Sequence, residues 1–477
     1  MTTTTDKNNQ TNKYRVIGTR PMRHDAVDKV TGAAKYGADF NMPGMLYGKI
    51  LRSPHAHAKI VSIDTSKAEA IQGVLAVATS SDFPIIASRP LDYENFQGNP
   101  RLIAENIFAH EKVLYKGHAV AAVAATSQHV AEAAVELIEV KYEVLPTVLT
   151  WRDALKEDAP LLHDQMTTRF RVERFGPGDD TGEISNIAGH LQHKLGDIEK
   201  GFQEADVIFE NEYETQTVHQ GYIEPHVASA VWGSDGRVTV WTSTQGPFGV
   251  RTATAAILEL PESSVKVVPM EIGGGFGAKG VTYLAPVAAV LAKKSGKPVK
   301  VVMTRKEVFE GSGPASATFM RVKLGAKKDG KLTAGQVYMV YEAGAFPGAP
   351  VGGGAVTTFG SYNCENILVD GYDVVCNKQK AQAYRAPGQP QAGFAVECAM
   401  DELAEELKLD PMDLRLKNAV SEGDRMPNGV AHARFGCVEV EEAMKNHPHY
   451  TAPLGGPNQG RGVAVAFRAQ GGQVSSA

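Results

Sequence analysis

The stretch GGGFGAKG at 273–280 could do chemistry through its backbone. Glycines permit positive φ and let N–H groups approach a ligand with no Cβ in the way. Gly275, Gly277 and Gly280 fit G-x-G-x-x-G, the spacing of a dinucleotide loop. The flanks agree: VKVVPM reads as a strand, VAAVLAKKSG as a helix and KPVKVVM as a second strand. Such a site also wants an acid about 20 residues on for the ribose hydroxyls, and no Asp or Glu lies between 281 and 306. Arg305 could meet an adenosine phosphate instead, which keeps an NADP-dependent oxidoreductase as one reading. The segments that follow read as hairpins rather than further βαβ units, which speaks against it. A tight turn packed on a helix is the plainer reading. A second glycine-rich segment (338–361) and the motif QAYRAPGQPQ (382–391) favour a ligand of some other kind.

Other reactive side chains point nowhere definite. Cys364, Cys376, Cys398 and Cys437 are widely spaced, with no C-x-x-C and no zinc or iron–sulfur pattern, so they read as reduced, buried thiols. His55 and His57 could share a strand face, but without a third ligand they read as loop or interface histidines. No protein metal ligand is assigned.

The elements that must carry these motifs follow from pattern. Residues 14–150 read as one α/β unit. VTGAAKYGADF and MLYGKILRSPHA look like strands with turns, and AVAAVAA (119–125) like a buried strand. Val130, Ala134, Leu137 and Ile138 recur at helical spacing. Val140, Tyr142 and Val144 alternate as in a strand, which Pro146 ends. The polar, glycine-rich 166–195 reads as a linker or surface loop, and 151–184 is the linker expected between two units. DVIFENEYETQTV, HVASAVWG and RVTVWTSTQ read as strands, with a turn at 234–236. A hairpin turning at Asp329-Gly330 follows. GAFPGAPVGGGAVTTFG is too glycine-rich for a strand or helix. Val396, Met400, Leu403, Ala404 and Leu407 mark an amphipathic helix, and Asp410-Pro411 starts another. GVAVAFR reads as a terminal strand without a partner.

The bulk numbers set bounds. The 477 residues carry a net charge of −5, with 43% hydrophobic and 22% charged residues. That is ordinary for a globular protein of about three domains and gives no reason to expect nucleic acid or a membrane as partner. Residues 1–13 read as a polar disordered tail without a signal core, and the protein as cytoplasmic.

Six motifs together resemble one family: the large, molybdenum-binding subunits of the xanthine dehydrogenase/aldehyde oxidase family of molybdenum hydroxylases. They are DKVTGAAKYGADF, RSPHAHAKI, YIEPHVASAVW, STQGPFGVRTA, GGGFGAK and QAYRAPGQPQ, in the family order. The resemblance implies an α+β fold, with a hammerhead-like α/β domain over 14–150 and the first molybdenum-cofactor domain over 185–477. An incomplete start of a second cofactor domain would lie at about 460–477. It implies a molybdenum-pterin cofactor (molybdopterin, in bacteria often the cytosine dinucleotide form). Electrons would leave through [2Fe-2S] clusters and FAD on an iron–sulfur subunit and an FAD subunit. Gln245 matches the glutamine that donates to a molybdenum oxygen. Phe276-Gly277, with Gly274 and Gly275, match the loop against the cofactor. Arg385 matches the arginine beside the substrate, with a structural ion pair as its rival role. Glu224 matches no acid–base residue and reads as a brace.

Departures narrow the activity. Gly280 stands where xanthine-type enzymes carry a glutamate, which disfavours purines. Ala386 stands where carbon monoxide dehydrogenases carry a copper-binding cysteine. An aldehyde or an N-heteroaromatic small molecule remains as substrate, with water as oxygen source. The family's catalytic glutamate lies in a motif like G-V-G-E, and none occurs in 1–477. The resemblance therefore implies that this chain alone lacks its general base, being either half of a split subunit completed by a second chain or a truncated product; a non-catalytic redox scaffold is the rival non-enzyme reading.

Overall fold

The computed structural model describes residues 16, 19–89, 91–93, 96–174, 176 and 178–468. The expected tail, 1–13, lies outside them.

Two seven-stranded sheets organise the chain. The first runs, in spatial order, Val265–Pro269, Val238–Thr242, Val227–Trp232, Val299–Val302, Leu46–Arg52, Ala119–Ala125 and Val74–Thr79. All seven residues of Ala119–Ala125 are buried. The continuous apolar run exists because the strand is covered on both faces. One face packs on the helix Ala285–Ser295, whose first eight residues are all buried. The other packs on the helix Gln128–Glu136, through Val77, Ala121, Val123, Ala131 and Ala134. Leu46–Arg52 joins early and late sequence: it pairs antiparallel with Ala119–Ala125 and parallel with Val299–Val302. The N-terminal α/β unit thus shares a sheet with residues 227–302.

The second sheet runs Asp179–Ile184, Thr167–Arg171, Ile187–Leu195, Ile367–Val375, Leu332–Gly344, Thr318–Ala326 and Val207–Thr215. The helix Gln389–Leu407 buries Ala392, Val396, Met400 and Leu403 on it, as the spacing predicts. Asp410 caps Pro411–Asn418 by accepting from the Met412 and Asp413 N–H groups.

Four sequence expectations fail. VTGAAKYGADF holds the end of a helix (Ala26–Thr31) and a 3-10 turn (Gly37–Asp39), not a strand. The 166–195 stretch, and with it part of the 151–184 linker, forms three strands. Asp179–Ile184 is exposed throughout and is held by backbone pairing to Thr167–Arg171 rather than by burial, so hydropathy carries no trace of it. GVAVAFR forms no strand in the described residues. The glycine-rich VGGGAVT is a helix, Val351–Thr357, and most of it is buried.

That helix tolerates glycine, at about 0.5–1 kcal/mol per residue relative to alanine, because other backbone must pass close. A Cβ on Gly352 would run into the Arg174 carbonyl oxygen, and one on Gly353 into that of Pro387. Gly353→Ala should therefore destabilise the protein by about 1–3 kcal/mol, read as a lower urea midpoint at unchanged m-value. An unchanged midpoint would show that the turn at 385–388 can yield.

Candidate functional site

Three strand-to-helix junctions meet at one place. Val238–Thr242 and Val265–Pro269 are parallel neighbours that end together, with Thr242 opposite Pro269. The first strand leads through Gln245 into the helix Pro247–Ile257, with Pro247 at its first position. The second leads into the 273–280 loop. The third junction, between Ile367–Val375 and Gln389–Leu407, holds Arg385. Its turn is made by Ala386 at φ +59° and Gly388 at φ +81°.

Hydrogen bonds tie the three junctions together. The Gln245 side-chain oxygen accepts from the N–H of Gly277 (2.9 Å) and of Lys279 (3.3 Å). The Gln245 N–H donates to the Lys279 carbonyl at 2.9 Å, and the Arg385 N–H to the Phe276 carbonyl at 2.8 Å. Gln245, Phe276, Gly277 and Arg385 are thus brought together. The same bonds settle the Gln245 amide: its oxygen faces the loop and its NH2 faces outwards.

The glycines are required by neighbours. A Cβ on Gly275 would lie 2.6 Å from the Gln245 side-chain oxygen, and one on Gly277 2.7 Å from the Ala383 carbonyl oxygen. Gly274, Phe276 and Gly277 have φ of +95°, +53° and +110°. The N–H groups of Gly274, Gly275 and Phe276 make no hydrogen bond with the described residues. This refines one expectation: the Gly277 N–H is spent on Gln245, and the uncommitted backbone donors precede it.

Beneath the loop lies a buried ion pair that the motif reading left out. The Lys279 side chain is 0% exposed, and its ammonium is 2.7 Å from Glu224 Oε2. It also sits 5.0 Å from the centre of the Tyr222 ring. Glu224 Oε2 accepts from the Gly273 N–H as well, at 2.7 Å. Glu224 is a brace, as its sequence context suggested. Burial pulls the Lys279 ammonium below the usual lysine range, against the raising effect of Glu224. Tyr222 hydrogen-bonds His226 Nε2 (2.7 Å) and Ser312 Oγ (3.0 Å). Burial, with Lys279 nearby, pushes His226 down to about 3. The sequence context of Glu224 suggested a brace but not its partner Lys279, 55 residues further on.

The geometry disfavours a nicotinamide nucleotide. The loop's strand is at the sheet edge, three places from Val299–Val302, so no adjacent βαβ unit forms. Arg305 donates to the Ile223 carbonyl at 2.6 Å and lies over Phe309. The donors left open suit a group rich in oxygen. They are one amide NH2, three backbone N–H groups and the exposed Arg385 guanidinium, which makes no ion pair or hydrogen bond with the described residues. Among those residues no three His, Cys, Asp or Glu side chains gather as a metal cage. A metal held through its own organic ligand fits this donor set; a bare cation does not.

Comparison with known proteins agrees with the geometry. Residues 180–419 match the molybdopterin cofactor-binding domain, and residues 31–146 match the a/b hammerhead domain of aldehyde oxidase and xanthine dehydrogenase. The nicotinate dehydrogenase large molybdopterin subunit of Eubacterium barkeri is 34% identical over 440 residues, covering 91% of this chain and 96% of that protein. A probable xanthine dehydrogenase subunit of Bacillus subtilis is 35% identical over 468 residues, 94% of this chain and 58% of its own length. The solved aldehyde oxidoreductase of Desulfovibrio gigas superposes with a TM-score of 0.77 at 30% identity, over 89% of this chain and 45% of that one. The chain belongs to the xanthine dehydrogenase/aldehyde oxidase family of molybdenum hydroxylases and carries its molybdenum-cofactor-binding domain. It spans about half the length of the B. subtilis and D. gigas relatives and nearly all of the E. barkeri one.

Gly277→Ala should cost about 1–3 kcal/mol, through both its positive φ and the Ala383 contact. Chemical denaturation checks this, and a variant as stable as the parent would place the loop away from Ala383.

Proposed function

We propose that this chain is the cofactor-holding part of a molybdenum hydroxylase that oxidises an aldehyde or an N-heteroaromatic compound, with water as the oxygen source. The observation that supports the reading is the exposed Gln245 amide, whose oxygen is held by the 273–280 loop, beside the Gly274, Gly275 and Phe276 N–H groups that have no partner among the described residues, with Arg385 joined to the same loop through its backbone N–H. When bound, the molybdenum-pterin group supplies the two-electron oxidation. Gln245 donates one neutral hydrogen bond to an oxygen of that group without adding charge. Gly274, Gly275 and Phe276 offer backbone donors that need not reorganise. Arg385 steadies negative charge that develops on the substrate.

The substrate class follows from Gly280 and Ala386, which remove the purine-type glutamate and the copper-binding cysteine. Relatives named for nicotinate and for an aldehyde support it, beside others named for xanthine and for carbon monoxide. Glu224, the buried acid at the loop, does not serve as the carboxylate base, since it is already engaged by Lys279 and Gly273. Electrons pass to an iron–sulfur subunit and an FAD subunit in a cytoplasmic complex. The word "subunit" in the names of two relatives supports an assembly of several chains.

Gln245→Ala should lower kcat on the order of 100-fold with molybdenum content unchanged. Full turnover in a metal-loaded complex would refute the assigned role. Arg385→Ala should lower kcat most for substrates that build up the most negative charge, and Arg385→Lys should recover part of it. An equal loss for every substrate would point to a packing role instead.

A further inference from the structure

The proposed role of Gln245 depends on which way its amide points, and the two ends of a glutamine amide have nearly the same shape. We infer that the buried Lys279–Glu224 pair is the positioning element that holds the Gln245 amide with its NH2 outwards, an inference that rests on that proposed role.

The reasoning starts from the partners of residue 279. Its N–H donates to the Gln245 side-chain oxygen at 3.3 Å. Its carbonyl accepts from the Gln245 N–H at 2.9 Å and from Thr244 Oγ1 at 2.9 Å. The Lys279 peptide therefore grips Gln245 from two sides and Thr244 from a third contact. What grips Lys279 is its own side chain, which has no exposure and ends on Glu224 Oε2. That same oxygen accepts from Gly273, so one atom joins the two ends of GGGFGAK. Tyr222 covers the ammonium and also packs on the loop, 3.1 Å from where a Gly274 Cβ would be. An apolar residue could fill the same space. A charged pair costs more to bury, and it fixes one geometry because either partner alone would be left uncompensated. If the pair is lost, the Gly277 and Lys279 N–H groups no longer converge, and the amide can turn its oxygen outwards. An oxygen there would oppose any oxygen it faces.

The test uses Lys279→Met and Gln245→Ala, singly and combined, in the full chain and in the assembled, metal-loaded complex. Hydrogen exchange over 273–280 should speed up at least about tenfold in Lys279→Met, with 119–125 unchanged. The kcat should fall by roughly 10- to 100-fold at near-normal KM and molybdenum content. The double variant should be no slower than Gln245→Ala alone, since both changes act through one amide. If Lys279→Met does not fold, Lys279→Met with Glu224→Gln removes both charges together and carries the same measurements. Unchanged exchange, or full kcat in a loosened loop, overturns the inference. So does a double variant whose losses simply multiply, which marks an independent role for Lys279. Full turnover in Gln245→Ala overturns the proposed function of Gln245 and this inference with it. A slow Gln245→Ala beside a fast Lys279→Met overturns this inference alone.

Discussion

One oxygen atom holds the site in register. The side-chain carbonyl of Gln245 accepts from two loop N–H groups at once, from Gly277 and Lys279. A loop with φ values of +95°, +53° and +110° at positions 274, 276 and 277 has few internal bonds to keep its shape. Its shape is imposed from outside: by Gln245 on one side, by Glu224 and Lys279 below, and by the Arg385 N–H on the Phe276 carbonyl. Gln245 and Arg385 come from two other strand-to-helix junctions, and Glu224 from the connection between Val207–Thr215 and Val227–Trp232. The site is therefore a property of how the sheets bring three junctions together, not of any motif alone.

Much of the fold was legible because local pattern and tertiary demand agreed. The run 119–125 is apolar because both faces are covered, and 389–407 has helical spacing because one face meets the sheet. The failures share a cause. In Asp179–Ile184 the stabilising force is backbone pairing at a sheet edge, which leaves no mark on hydropathy. In Val351–Thr357 close backbone approach outweighs helix propensity, so glycine marks a tight contact rather than a break. The shared sheet could not be read at all. Nothing in MLYGKILR says that its partner is Val299–Val302.

The site was legible in its residue types and less so in its bonds. Gln245, Phe276, Gly277 and Arg385 were found through motif resemblance, and the structure brings them into contact. Phe276-Gly277 were matched to the loop against the cofactor, but no motif shows that the Gly277 N–H is taken by Gln245. The Lys279–Glu224 pair was out of reach, since 55 residues of chain separate the partners. Sequence spacing fixes only neighbours a turn or a strand apart.

The parallel pairing of Leu46–Arg52 with Val299–Val302 has a consequence for how the chain is made. At a synthesis rate of about 5–20 residues per second, the first strand leaves the ribosome roughly 10–50 s before its partner exists. During that interval the 119–125 strand already has both of its neighbours, Leu46–Arg52 and Val74–Thr79, while the far edge of Leu46–Arg52 stays unpaired and the four later strands of its sheet are still to come. The nascent chain therefore carries a half-built sheet with one open edge from residue 125 until residue 302 has been made, and chaperone occupancy should concentrate there over that interval.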